Sequence, residues 1–313
     1  MPSPASSNHR ALGYLACAAA GSLWGTGFYF GKIALAELRV GHMVFYRFAF
    51  ALLVLLPVGL RDARRNRVRF SASEWRLLLL AAFVGVPLQF LVQFAGLART
   101  TVSHASLMVG ALPVILALGA VLFAGEHMPR IGWIALIAST LGAALIAFSG
   151  NHLHAANAGD PSLIGDLMIL AAMVAALFWI LASKRLMLRY SPIAVSVYCV
   201  TVGSLMVAVW VFLVDGPPPL HMSHRAWMAL AISGMLCTAC TTLMWNWGLG
   251  RIPASQAGVF LNLEPLIGSV LGVTLLNEHL GPSAWIGGAL IIGAAVTLTT
   301  RAQTQPQIIE QLG

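Results

Sequence analysis

Charge is what this sequence has least of. Asp, Glu, Lys and Arg make up 9% of its 313 residues, where a soluble domain carries about a quarter. So few charges cannot cover a globular surface with groups that water solvates, and a soluble enzyme is excluded. Cysteine is scarce as well. Cys17, Cys199, Cys237 and Cys240 all fall in apolar stretches, so no disulfide framework is expected. Cys237 and Cys240 form a lone C-x-x-C without the second pair that would complete a zinc site. Catalytic patterns are missing too: there is no G-x-S-x-G, no H-E-x-x-H and no pair of aspartates within an apolar run. Nor is there a G-x-x-x-x-G-K-S/T to cradle ATP phosphates. An enzyme, direct ATP drive and a resident cofactor are therefore not expected.

What is there is apolar: 59% of the residues, with a mean hydropathy of +0.84. About 20 mainly apolar residues cross a bilayer. Ten such windows fit, near 11–32, 42–60, 75–97, 102–123, 130–149, 163–184, 192–214, 225–248, 254–276 and 283–300. The breaks between them are short and carry turn residues, as at Gly216-Pro217-Pro218-Pro219 and Gly281-Pro282. The run from Ala11 to about Leu35 is too long for the core of a cleaved signal peptide and reads as the first span. The expected fold is an all-α integral membrane protein with ten transmembrane helices, its largest partner the lipid bilayer. A net charge of +8 would suggest nucleic acid in a soluble chain; here no nucleic-acid partner is expected, because the charges sort by side. With ten crossings, Arg10, Arg61, Arg64, Arg65, Arg67, Arg69, Arg76, Arg130, Lys184, Arg185, Arg189, Arg251 and Arg301 share the side of both termini. Lys32, Arg39, Arg99 and Arg225 lie on the other. Basic short loops stay in the cytoplasm, so both termini are expected there.

Sliding the chain along itself by 152 residues exposes an internal duplication. Lys32 falls on Lys184, Tyr46 on Tyr198, Trp75 on Trp227, Gly96 on Gly248, Arg99 on Arg251, Ser103 on Ser255 and Pro113 on Pro265. Glu126-His127 falls on Glu278-His279 and Trp133-Ile134 on Trp285-Ile286. Apolar helices match by chance at Leu and Ala, but not at Trp, Arg, Pro and Glu-His held at one spacing. The expected halves are 1–150 and 151–313, each with five spans. Five is odd, so the second half enters the membrane inverted. The basic loop 61–69 corresponds to 213–221, which holds no Lys or Arg. Inverted repeats around a midplane axis belong to carriers that alternate access to a central cavity.

These features resemble the drug/metabolite transporter superfamily, and within it the EamA type, over about residues 12–300. The resemblance is carried by the two five-helix halves and by Trp24-Gly25 with Lys32 in the first span. Pro113 followed by Gly125-Glu126 also matches, as does Asn262-Leu-Glu264-Pro265 followed by Asn277-Glu278. Asn277 departs from the family, which more often has Gly before that Glu. The resemblance implies export or exchange of small metabolites such as amino acids across a bacterial inner membrane. A passive channel or a uniporter is the competing reading, and an intramembrane enzyme a remoter one.

Candidate site residues follow from polar groups at membrane depth. Glu264 is the one acid near the middle of a span, expected either to couple protons or to hold a substrate amine. A carboxyl kept protonated against a neighbouring helix is the alternative. Pro113 and Pro265 free the carbonyls of Val109 and Leu261 and are expected to kink their helices. Gln89 and Gln93 share a helix face; the offset sets Thr241 and Trp245 opposite them, with Asn246 adjacent and Asn262 nearby. Trp24 and Trp179 are candidate cavity walls, and Tyr46 and Tyr198 candidate hydroxyl donors. Lys32, His42 and Arg47 gather toward the outer ends of the first two spans, where they either attract a carboxylate or snorkel to headgroups. Trp75, Trp133, Trp210, Trp227 and Trp285 suit interface belts. Glu126 and Glu278 are expected to brace the next helix. His152, His154, His221 and His224 would need two loops to meet before they held a metal. Gly21/Gly25, Gly27/Gly31 and Gly268/Gly272 permit close helix approach.

Overall fold

Five helix starts in this chain are written as Ser or Thr ahead of an apolar run, and the backbone follows them. The computed structural model describes residues 4–66, 68–124, 130–148, 160–249, 251 and 258–301. Arg67, Gly125, Glu126, His127, His152, His154 and Ser255 lie outside the described residues. The helices are α1 (Pro4–Leu35), α2 (Val40–Asn66), α3 (Ala72–Phe83), α4 (Gln89–Leu97), α5 (Val102–Val109), α6 (Leu112–Ala124) and α7 (Arg130–Ala147). They continue with α8 (Leu163–Met187), α9 (Pro192–Trp210), α10 (His224–Gly234), α11 (Thr241–Leu249), α12 (Leu263–Leu275) and α13 (Pro282–Arg301). Ser71 opens α3 with a capping box: its hydroxyl accepts the Glu74 N–H, and the Glu74 carboxylate accepts the Ser71 N–H at 2.8 Å. Thr101, Ser162, Ser191 and Ser223 cap α5, α8, α9 and α10 with the hydroxyl alone, each accepting one backbone N–H of the first turn.

Every described element is helical. Among the described residues, six helical stretches are long and apolar enough to cross a membrane: Val40–Asn66, Ala72–Leu97, Val102–Phe123, Leu163–Met187, Pro192–Asp215 and His224–Leu249. Arg130–Ile146, Phe260–Leu275 and Pro282–Thr297 are shorter apolar helices. The surface is turned inside out relative to a soluble protein. Leu213 and Phe148 are 80% and 71% exposed, while Arg47, Gln89, Gln93, His104 and Asp166 are buried. Lipid, not water, satisfies such an exterior. Trp75, Trp133, Trp210 and Trp285 face outward, but Trp227 is turned onto Tyr46, with ring centroids 5.1 Å apart.

Local departures from the α-helix fall where sequence periodicity is silent. Val84–Leu88, which contains Pro87, joins α3 to α4 as a π-helical turn; Met235–Cys240 joins α10 to α11 likewise, and Val211–Asp215 extends α9. The two expected proline kinks take another form. Pro113 is the second residue of α6, just after a break at Gly110-Ala111 inside the stretch Val102–Phe123, and Pro265 stands in the first turn of α12 after the 3-10 turn Gly258–Asn262. A proline lacks the N–H that a first turn leaves unused, so it begins a new helix at lower cost than it bends an old one.

Polar knots fasten the helix ends. Lys32 Nζ turns inward and donates to the carbonyls of Leu97 and Thr100 at 2.9 and 2.6 Å, closing the end of α4 instead of reaching headgroups. Glu278 accepts the N–H groups of Val102 and Ser103, both at 2.7 Å, and the Ser103 hydroxyl at 2.6 Å. The carboxylate thus satisfies the first turn of α5, a helix far earlier in the chain. A Glu278→Gln change would leave one of those N–H groups facing an amide NH2. It should lower stability by about 1–3 kcal/mol in an SDS unfolding titration; an unchanged midpoint would show the cap to be dispensable. At the α1–α2 turn, the Ser223 hydroxyl and N–H both donate to Glu37 and hold its carboxyl below the usual carboxylate range.

Candidate functional site

Glycines on α1 bring three other helices to one level of the bundle. A Cβ at Gly21 would stand 2.2 Å from the Phe260 carbonyl oxygen, and one at Gly25 would stand 2.6 Å from the Glu264 carbonyl oxygen. Only hydrogen on those Cα atoms lets α1 lie against α12 so closely. Trp24 precedes Gly25 and meets Trp245 of α11, with centroids 5.3 Å apart and planes tilted by 56°. Gly27, half a turn on, receives the Arg47 guanidinium: both Nη atoms lie 3.6 Å from where its Cβ would be.

Arg47 is therefore not a snorkelling side chain. It is 5% exposed. Its Nε donates to the Thr238 hydroxyl at 2.9 Å, and that hydroxyl donates onward to the Ser233 carbonyl at 3.0 Å. The guanidinium carbon lies 5.3 Å from the centre of Phe90 and 5.1 Å from that of Phe94, within cation–π range. Glu264, partly buried on α12, is within electrostatic reach of Arg47. The two are not in contact: the ion pairs among the described residues are His104–Asp166 and Arg189–Glu74. Asn262 is buried just before α12, and Asn246 follows Trp245 at partial exposure.

The sequence-expected site thus divides. Trp24, Trp245, Asn246, Asn262 and Glu264 gather around α1, α11 and α12. Gln89 and Gln93 are buried on α4, and the Trp179 indole of α8 packs on Gly85, one turn before Gln89. The side-chain oxygens of both glutamines and the Trp179 N–H are buried without hydrogen-bond partners. Thr241 is buried and spends its hydroxyl on the Thr238 carbonyl at 3.0 Å. Tyr46 and Tyr198 stand apart. The Tyr46 hydroxyl donates to the Pro219 carbonyl at 2.8 Å, and Tyr198 packs on Phe70 and Trp75. His42 reaches the Gly216 carbonyl at 3.2 Å. A groove of about 860 Å³ between α3 and α8, walled by Leu80, Phe123 and Phe178, opens sideways and holds none of these polar groups.

Glu264 is not the sole enclosed acid. Asp166, in the first turn of α8, is 1% exposed and accepts His104 Nδ1–H at 3.0 Å and the Thr100 hydroxyl at 2.6 Å. A carboxylate four residues after a Ser N-cap is ordinary in sequence, so nothing there flagged it.

The profile of the EamA-like transporter family matches residues 11–148 and again 163–300. The chain belongs to the EamA-like transporter family. An "uncharacterized transporter" of Archaeoglobus fulgidus is 29% identical to this EamA-like chain over 289 residues, 90% of the chain and 95% of the relative. A "probable terminal-alkyne amino-acid exporter" of Streptantibioticus cattleyicolor is 26% identical over 253 residues, 78% of the chain and 77% of the relative. Among solved structures, one crystal structure superposes with a TM-score of 0.64 at 19% identity, covering 95% of the EamA-like chain and 98% of its own. That likeness concerns the fold.

Proposed function

We propose that this protein is a secondary active exporter of small metabolites, amino acids among them, that works by alternating access with protons as the coupling ion. Ten spans in two inverted five-helix repeats, both termini in the cytoplasm and a bacterial inner membrane complete the reading. The observation that carries it is Glu264 in an apolar helix whose backbone packs on α1 at Gly25, between Trp24, which pairs with Trp245, and Gly27, which receives the buried Arg47. Membrane-depth charges of this kind mark solute and proton paths. The relative named as an amino-acid exporter supports the substrate class.

The repeat is supported by contacts that recur at the offset of 152. A Cβ on Gly96 would meet the Gly165 carbonyl oxygen at 2.8 Å, and one on Gly248 would meet the Gly13 carbonyl oxygen at 3.1 Å. Gly13 and Gly165 are offset partners, as are Gly96 and Gly248. The π-helical turns at Val84–Leu88 and Met235–Cys240 also overlap under that shift.

Glu264→Gln tests the coupling. In proteoliposomes, an imposed pH gradient should drive amino-acid movement through the unaltered protein and not through the variant. A variant driven by the gradient as fast as its parent would remove the proton role.

A further inference from the structure

Arg47 has more donors than the protein uses. Of its five N–H groups, Nε–H alone has a hydrogen-bond partner among the described residues. The side chain is nonetheless 5% exposed, and an enclosed guanidinium with idle donors is costly unless an anion completes it. Its orientation is fixed from three sides. Thr238 holds Nε, Phe90 and Phe94 hold the planar carbon, and both Nη atoms are presented to the α1 face at Gly27. Two parallel Nη–H groups match a carboxylate bidentately. Glu264, on the helix that packs against α1 at Gly25, makes no ion pair with the guanidinium.

We propose that Arg47 is the carboxylate subsite of the central site and Glu264 its ammonium subsite, so that the pair takes a zwitterionic α-amino acid. This rests on the transport reading above. The arrangement rejects a plain amine, which would leave Arg47 unpaired, and a carboxylate without an amine, which would leave Glu264 facing no cation. The pair of Trp24 on α1 and Trp245 on α11, one residue along α1 from the Gly25 that packs on the Glu264 carbonyl, would then meet the side chain of the amino acid.

The experiment uses the purified full chain and three matched probes: radiolabelled leucine, leucine methyl ester and isoamylamine, the last two lacking the free carboxylate. Two readouts run in parallel, counterflow in proteoliposomes and ligand-induced shift of thermal unfolding in detergent. Leucine should stabilise the protein and exchange, with the ester and the amine at least tenfold weaker. Arg47→Gln should weaken leucine about tenfold and leave the two probes unchanged; Arg47→Lys, which keeps the charge without the fork, should fall between. Equal potency of all three probes, or leucine binding unaltered in both variants, would overturn the subsite. Stabilisation by leucine that Arg47→Gln abolishes would support it even where no solute crosses, an outcome that would count against transport alone. No stabilisation by any probe would overturn it.

Discussion

Asp166→Ala should destabilise the folded protein by several kcal/mol, about 1–3 kcal/mol for each of the two buried donors that lose their acceptor. Asp166 is the hub of a knot that joins α8 to the α4–α5 turn. It holds His104 and Thr100, and beside it the Ser162 hydroxyl donates to the Arg99 carbonyl at 2.5 Å. Thr100 is fully buried and His104 nearly so; with the carboxylate gone, both lose their acceptor. Asp166→Asn is the informative companion. An amide oxygen still accepts from Thr100, and His104 can change tautomer to accept from the amide N–H, so the loss should stay near about 1 kcal/mol. SDS unfolding titrations of the three proteins measure the difference. Equal midpoints for Asp166→Ala and the unaltered chain would mean that the knot contributes nothing.

The helices were legible because lipid makes a demand that composition cannot hide: each crossing needs a long apolar run. The expected window 225–248 meets a helical stretch from His224 to Leu249, and the window 163–184 meets α8. Interruptions were less legible. The π-helical turns at Val84–Leu88 and Met235–Cys240 carry no hydropathy change, whereas Pro113 and Pro265 each stand just after an interruption of the α-helix. The site was half legible. Glu264, Trp24 and Trp245 were visible as polar or aromatic groups at mid-span, and the structure sets them around one level of α1. For Arg47 the sequence allows two readings, a group that attracts a carboxylate or one that snorkels, and its burial removes the second. Only the fold reveals that Phe90, Phe94 and Thr238 enclose it. Tyr46 and Tyr198 were paired by the offset, yet repeat symmetry gives equivalent positions, not proximity to a ligand. His104 and Asp166 fell outside the pattern altogether, since the offset matches Asp166 with Tyr14 and His104 with Gln256.

Gly25→Ala should slow solute movement about tenfold or more while leaving a folded, monodisperse protein. The added methyl would sit 2.6 Å from the Glu264 carbonyl oxygen and 3.1 Å from the Gly268 N. Both are backbone atoms, so no side chain can swing aside and the two helices must part. Overpacking of this kind costs about 1–3 kcal/mol, and here the displaced element carries Glu264. The site is strained in the direction that matters, because Trp24 and Gly27 ride on α1 while Glu264 rides on α12. A helix-propensity argument predicts the opposite sign, since alanine favours a helix over glycine by up to about 1 kcal/mol. Gly293→Ala separates the two effects: nothing lies within 4 Å of a Cβ there, and that variant should be at least as stable as its parent and transport as fast. Leucine counterflow in proteoliposomes reads both. If Gly25→Ala kept the parental rate, or if Gly293→Ala lost as much, close contact between α1 and α12 would not be what holds the two halves of the site in register.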